Sequence, residues 1–299
     1  MVSRAAGRGR DRAVSTVVDV SLCLLLVSAA VGTLALPHDS PAETSRRPAP
    51  AATVEALATG TTSVAYDLDT AGLDGEAGTN AAGELARVAH GSYAGLLAEA
   101  AVENASIDGR ALSGASDGFE RRIRVAVRNV TRATGGRTRI RATWVPYPGA
   151  PTRGVVTAGP RPPPEATVAA ARMTVPSRFP TSRERARRAA RRSGYRGVAL
   201  VLARATVVGW FPPDDTRLAL RGDSPVDALL AERYRRTAST LGTSVADPVG
   251  AVEPRRANAR LVAALSRRFE ADLRSRFDSP NAAADAVRVG QVRVVVMAW

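Results

Sequence analysis

The chain has 299 residues, of which 42 are basic and 28 acidic, giving a formal net charge of +14 at pH 7. It contains no lysine, so all 42 basic residues are arginine, and the single cysteine, Cys23, excludes an intramolecular disulfide and a thiolate zinc site. The length permits a hydrophobic core, which must be built mainly from Val, Leu and Ala because aromatic residues make up only 4% of the chain.

A long apolar segment, residues 14–36, is the first recognisable feature. Ala13 to Leu36 contains one charged residue, Asp19, and at about 1.5 Å per helical residue it can cross a hydrocarbon core of about 30 Å. Residues 1–13 hold four arginines and one acid, which favours a cytoplasmic N-terminus. The sequence therefore predicts a single-pass membrane protein with its main domain outside the cell.

Three fates of this segment remain open. It can be an uncleaved anchor, a secretory signal cut after Thr33-Leu34-Ala35, or a pilin-type leader cut before the apolar helix. The three differ in where the mature chain begins.

The junction at residues 12–18, Arg-Ala-Val-Ser-Thr-Val-Val, resembles the leader of haloarchaeal type IV pilins. Those leaders carry a basic residue, Ala or Gly, and then Val-Ser-Pro-Val-Ile. Thr16 and Asp19 stand where those pilins usually have Pro and Gly, so the resemblance is to a minor or pilin-like subunit. It implies processing by a prepilin-type peptidase at Arg12, Ala13 and Val14, with cleavage after Ala13.

Asp19 would be the sixth residue of a chain cut there. The resemblance implies that its carboxylate pairs with the N-terminal amine of a neighbouring pilin-like subunit, which would offset its desolvation. The alternative is an interfacial carboxylate that stays hydrated near the cytoplasmic face.

Residues 37–50 are rich in proline and small polar residues and predict an extended linker. Residues 51–299 follow as the extracytoplasmic domain, with a possible seam or an edge loop in the proline-dense stretch 146–180. Alternating or helical spacing of apolar residues predicts the elements of this domain. The predicted strands are 61–68, 138–145, 166–175 and 287–299. The predicted helices are 53–58, 81–103, 117–131, 182–208, 225–240 and 255–277. The fold class is therefore α+β.

The densest basic run, in residues 183–192, contains six arginines. Helical spacing distributes them around most of the circumference, which is typical of a solvated helix. Guanidinium groups nevertheless favour anionic partners, so anionic surface polymers are possible ligands. Specific nucleic-acid binding is not expected, because no base-stacking aromatic residues interleave the run.

Catalytic and metal-binding patterns are absent from the sequence, so we predict no enzyme, no metal and no cofactor. The two histidines are His38, in the linker, and His90, on a predicted helix. Neither belongs to a recognisable catalytic or zinc motif. Asn104 and Asn129 each begin a glycosylation acceptor tripeptide, which has meaning only outside the cytoplasm.

The whole chain is also similar to uncharacterised haloarchaeal single-span proteins associated with pilus or secretion-like gene clusters. The resemblance rests on the start at residues 12–19, the middle sequences VPYPGAP and GPRPPPE, and the final strand. It implies a pilin-like surface subunit or an accessory protein of a filament or its assembly platform. The alternative is a membrane-anchored binding or adhesion module that does not polymerise.

Overall fold

In the computed structural model, residues 50–70, 73, 85–133 and 137–299 are described. They belong to one compact unit, Arg47–Trp299. The predicted leader, apolar helix and linker lie outside the described residues, except for Pro50, and so does most of the Gly-rich segment after the first strand. Among the described helices, none is both long enough and apolar enough to cross a membrane.

The predicted α+β class is confirmed by the order of elements along the chain. The strands are β1 (Thr61–Asp67), β2 (Ala86–Ser92), β3 (Ala105–Ile107), β4 (Arg110–Ala111), β5 (Thr138–Trp144), β6 (Thr152–Ala158), β7 (Ala169–Pro176) and β8 (Gln291–Ala298). The helices are α1 (Pro50–Thr59), α2 (Tyr93–Glu103), α3 (Asp117–Ala133), α4 (Arg183–Trp210), α5 (Pro213–Arg221), α6 (Val226–Thr240), α7 (Ala246–Gly250), α8 (Pro254–Arg276) and α9 (Pro280–Asp285).

The larger sheet has six antiparallel strands in the order β4-β3-β6-β5-β8-β7, and β1 pairs with β2 in a separate two-stranded sheet. The last strand of the chain, β8, lies between β5 and β7. The proline-dense stretch 146–180 contributes β6 and β7 to this same sheet.

The six-stranded sheet has one buried face and one open face. Along β5, Ile140, Ala142 and Trp144 are buried, whereas Arg141 between them is exposed. β8 repeats the alternation, with Val292, Val294 and Val296 buried. Side chains of a strand alternate between its two faces, so one face of the sheet packs on the core and the other faces outward.

Helix α2 packs on the buried face at very short range. A Cβ atom at Gly154 of β6 would overlap the backbone oxygen of Ala101 in α2. The glycine has no side chain, so the helix backbone can approach the strand closely. Leu96, Leu97 and Ala98 of α2 are almost fully buried as a result.

The aromatic core joins the sheet to α4. The Trp144 ring packs against Phe179 and Trp210 at centroid distances of 5.0 and 6.0 Å. Its indole nitrogen donates to the backbone oxygen of Val289 at 2.8 Å, which ties β5 to the turn before β8.

Helices α4, α6 and α8 form the second layer of the core. Phe211 stacks on Tyr234 with centroids 3.9 Å apart. The Tyr234 hydroxyl donates to Asn258 at 2.7 Å, and the Asn258 amide donates to the backbone oxygen of Phe211 at 2.8 Å. This closed network satisfies its buried polar groups, which would otherwise cost about 1–3 kcal/mol each. Gly194 interrupts α4 with φ 58° and ψ −146°, a conformation that favours glycine.

The predicted helix 81–103 is wrong over Ala86–Ser92, which forms β2, and His90 therefore lies on a strand. β2 pairs with β1 along its full length, and this non-local pairing overrides the helical spacing of its apolar residues. The Ser92 hydroxyl accepts a hydrogen bond from the Gly95 backbone nitrogen at 3.1 Å. That N-cap marks the true start of α2.

Candidate anion-binding face of the sheet

Five arginines lie on the open face of the six-stranded sheet, and we call this set the arginine face. They come from four strands: Arg139 and Arg141 of β5, Arg153 of β6, Arg172 of β7 and Arg293 of β8. Arg139 is half-buried and the other four are exposed. The same alternation that buries Ile140, Ala142 and the valines of β8 directs these side chains outward.

The register of the strands brings three of the five together. Arg141 and Arg172 both pair with Val295, one from each side. Their Cα atoms are thus two strand spacings, about 10 Å, apart. Arg293 lies two residues from Val295, so it is a diagonal neighbour of both at about 7–8 Å. The backbone positions of these three arginines therefore form a triangle on the sheet.

No acidic residue occurs in any of the six described strands of this sheet. In the described part of the chain, thirteen ion pairs are formed, and none includes a residue of the arginine face. Arginine stays protonated at any physiological pH. The face therefore presents an uncompensated positive potential to solvent.

A groove of about 550 Å³ runs into the arginine face. Its lining includes Arg141, Thr143 and Arg293 from the strands, Arg288 from the turn before β8 and Gly149 from the turn after β5. Thr174 and Gln291 add a hydroxyl and an amide. The groove therefore combines permanent positive charge with neutral hydrogen-bond donors.

The six described strands place no aromatic side chain on the outer side of the sheet. Across the six described strands the only aromatic residue is Trp144, whose ring is fully buried on the opposite side. Sheets that bind single-stranded nucleic acids stack bases on exposed aromatic rings. The strands of this face can neutralise backbone charges but carry no ring on which a base would stack.

Asn104 and Asn129 occupy different environments. Asn104 directly follows α2, and its amide nitrogen donates to the backbone oxygen of Val155 at 2.9 Å. This hydrogen bond occupies the nitrogen that would carry a glycan. Asn129 is exposed on α3, but Thr131 of the same tripeptide is buried and its hydroxyl donates to the backbone oxygen of Arg128. Arg12, Ala13, Val14 and Asp19 lie outside the described residues.

The basic run at residues 183–192 lies on the outside of α4. Two of its arginines already have partners within the protein. Arg187 forms ion pairs with Glu184 and Asp285, and Arg183 donates to the backbone oxygen of Val287. These hydrogen bonds and ion pairs raise the pKa of Arg187. The run is therefore less available to a ligand than the arginine face.

A second charged cluster lines a cavity of about 250 Å³ between α2, α3 and α6. Glu103 pairs with Arg233 at 3.0 Å, and Glu99 pairs with Arg178 at 3.4 Å. Burial raises the pKa of Glu99, and Arg178 offsets only part of that shift. Since both carboxylates already have arginine partners, we assign this cluster to the contact between α2 and α6.

The described residues contain no group of three or more His, Cys, Asp or Glu side chains placed to hold a metal ion. His90 lies on β2, where its ring nitrogen Nδ1 is 2.6 Å from the Ser63 hydroxyl. These two side chains are exposed on the two-stranded sheet.

The fold and the face together define an α+β domain whose sheet is covered by helices on one side and lined with unpaired arginines on the other. The chain belongs to the Family of unknown function (DUF7284), whose family model matches residues 18–299. That match covers every described element and begins just before Asp19. No curated protein and no solved structure matches the chain.

The sequence contained one local signal for this face. In residues 138–144, Arg139 and Arg141 alternate with Ile140 and Ala142, which predicts two arginines on the outer side of a strand. Arg172 and Arg293 are distant in sequence, so their position beside Arg141 depends on strand order and register.

Proposed function

We propose that this chain is a membrane-anchored binding module that holds anionic polymers on the arginine face outside the cell. The observation that carries the proposal is the set of five arginines without acidic partners on an open, acid-free sheet face. Arginine binds carboxylates, phosphates and sulfates through its planar fork of donors.

The spread of the charges favours a polymer over a small ligand. The five arginines come from four adjacent strands, so they span about 14 Å across the sheet. A chain of repeated anionic groups can contact several of them at once, and each contact releases counterions from the polymer. The absence of aromatic residues from the outer side of the described strands favours recognition of charge over recognition of bases.

The N-terminal sequence supports display at the membrane surface. Residues 14–36 provide the proposed transmembrane anchor, with residues 1–13 in the cytoplasm, and residues 37–50 form the proposed linker. A linker rich in proline favours extended backbone over a packed fold. The main domain would then meet polymers of the cell surface.

The test compares two triple variants of the full-length chain in nanodiscs of zwitterionic lipid. The sheet variant carries Arg141→Gln, Arg172→Gln and Arg293→Gln. The control variant carries Arg128→Gln, Arg204→Gln and Arg221→Gln, at exposed positions on α3, α4 and α5. Each removes three charges, taking the formal net charge from +14 to +11 (14 − 3).

Binding is measured by fluorescence anisotropy with labelled polyphosphate and with a labelled sulfated glycan. We expect the sheet variant to lose binding and the control variant to retain it. Equal losses in both variants would mean that net charge alone attracts the polymer, and would refute the arginine face as the site.

A pilin-like subunit is the second candidate function, favoured by the junction at Arg12, Ala13 and Val14 and by Asp19. In this proposal a prepilin-type peptidase cuts before Val14, and the apolar helix joins other pilin-like subunits in a filament or platform. The arginine face would then be displayed along the filament.

The N-terminal sequence of the mature protein from native membranes separates these two candidates. A start at Val14 supports the pilin-like subunit. An intact N-terminus supports the anchored module, and a start after Ala35 would instead indicate a secreted protein.

A further inference from the structure

The groove in the arginine face is built from β5 and the turn after it, from β8 and the turn before it, and from Thr174 of β7. Arg141 and Arg293 come from neighbouring strands, Arg288 comes from the turn before β8, and Pro148 and Gly149 come from the turn after β5. Three arginines from different elements therefore line one groove.

The charge of these arginines is not cancelled nearby. The groove lining contains no carboxylate, and Arg141, Arg288 and Arg293 take part in none of the ion pairs of the described chain. Arg276 packs behind Gly149, where its guanidinium would lie 2.6 Å from a Cβ atom at that position. It is paired with Asp272 at 2.7 Å, so this carboxylate is already neutralised.

Backbone hydrogen bonds fix the turn that carries Arg288 into the groove lining. The Arg288 backbone nitrogen donates to the Pro146 oxygen at 2.7 Å, and the Gln291 nitrogen donates to the Arg288 oxygen at 2.9 Å. The first bond connects the turn before β8 to the turn after β5, and the second closes the turn before β8. A turn that is already fixed lowers the entropy cost of placing Arg288 against a ligand.

We propose that this groove binds one tetrahedral oxyanion, a phosphate or sulfate ester, carried by the polymer. A carboxylate has two oxygens in one plane, which a single guanidinium can satisfy with two parallel hydrogen bonds. A tetrahedral oxyanion directs three or more oxygens to different sides. It can therefore accept from Arg141, Arg288 and Arg293 together.

The neutral donors of the groove fit the same ligand. The hydroxyls of Thr143 and Thr174 and the amide of Gln291 can donate to oxygens that the arginines leave unsatisfied. The groove is larger than one oxyanion, which leaves room for the polymer unit that carries the ester. The inference rests on the proposed function, since it names the group of the polymer that the sheet recognises.

The experiment measures inorganic phosphate, inorganic sulfate and acetate binding to the full-length chain by calorimetry, and polymer binding by anisotropy. Arg288→Gln is the principal variant, because Arg288 lines the groove without belonging to a strand. Arg172→Gln removes a charge from the arginine face outside the groove lining, and Arg204→Gln is the matched control on α4.

We expect Arg288→Gln to weaken phosphate and sulfate binding about tenfold, the loss of one hydrogen-bonded charged partner, while Arg204→Gln leaves it unchanged. Arg172→Gln should weaken polymer binding with little effect on inorganic phosphate. The difference between the affinities for polyphosphate and for a sulfated glycan then shows whether the groove prefers phosphate or sulfate.

Two results would overturn the inference while leaving the proposed function intact. One is polymer binding with no change in phosphate or sulfate affinity for Arg288→Gln. The other is acetate binding as tight as phosphate. Conversely, phosphate binding that depends on Arg288, with no polymer bound at any salt concentration, would refute the polymer-binding function itself.

Discussion

The salt dependence of polymer binding gives a quantitative test of the arginine face. A protein that neutralises Z phosphates of a single strand shows a slope of about −0.7 Z in a plot of log affinity against log salt concentration. If all five arginines contact the strand, the slope is about −3.5. Raising the salt fourfold, from about 50 to about 200 mM, should then weaken binding about 130-fold.

Of the five arginines of the arginine face, the sheet variant retains only Arg139 and Arg153. Its expected slope is about −1.4, so the same rise in salt should weaken binding only about sevenfold. The control variant should keep the steep slope, since none of its three positions lies on the sheet. An oligothymidylate of fixed length, titrated by anisotropy at several salt concentrations, is a suitable probe because this slope is calibrated for single strands.

Two outcomes would refute the reasoning. A sheet variant that keeps the steep slope means the polymer contacts other arginines. A control variant with an equally reduced slope means that the contacts are spread over the whole surface. Exposed substitutions of this kind change the free energy of unfolding by about 0.5 kcal/mol or less each, so melting curves should show all three proteins folded.

Three further predictions concern stability and processing. Trp144→Ala should lower the free energy of unfolding, measured by urea titration, by about 3–5 kcal/mol, because it empties the fully buried centre of the aromatic core. As a control, Leu218→Ala, at a position 76% exposed, should change this free energy by about 0.5 kcal/mol or less. Glu99→Gln should flatten the pH dependence of stability, because the raised pKa of Glu99 makes the folded state hold this proton to higher pH than the unfolded state does. The wild type therefore loses stability as pH rises from the ordinary glutamate pKa of 4.5 through the folded pKa. A variant whose melting temperature varies over pH 4–7 as that of the wild type does would contradict this. Arg12→Gln should block leader removal if the pilin-like candidate is right, which the mass of the mature protein reports; normal maturation would count against a pilin-type leader.

Local patterns predicted many elements of the domain correctly. The strands β1, β5 and β8 alternate apolar and polar residues because one side of each is buried, and α3, α6 and α8 repeat apolar residues at helical spacing. Both signals come from burial of one face, which leaves a period in the sequence.

Elements that depend on distant partners were missed. β2 contains Ala, His and Gly in place of typical strand residues, and it becomes a strand because β1 pairs with it. β6 lies in a proline-dense stretch, yet it is held between β3 and β5. Strand propensity reflects such neighbours more than the segment itself, so these two strands have weak local signals.

The sequence by itself determined the excess of arginine, the single apolar segment near the N-terminus and the outward position of Arg139 and Arg141 on their strand. These properties follow from composition and from periods of two to four residues. Only the tertiary structure decided that the last strand lies between β5 and β7, which sets Arg293 beside Arg141 and Arg172. The physical reason is that strand order and register come from backbone hydrogen bonds between segments more than 100 residues apart, and these bonds leave no local pattern in the side chains.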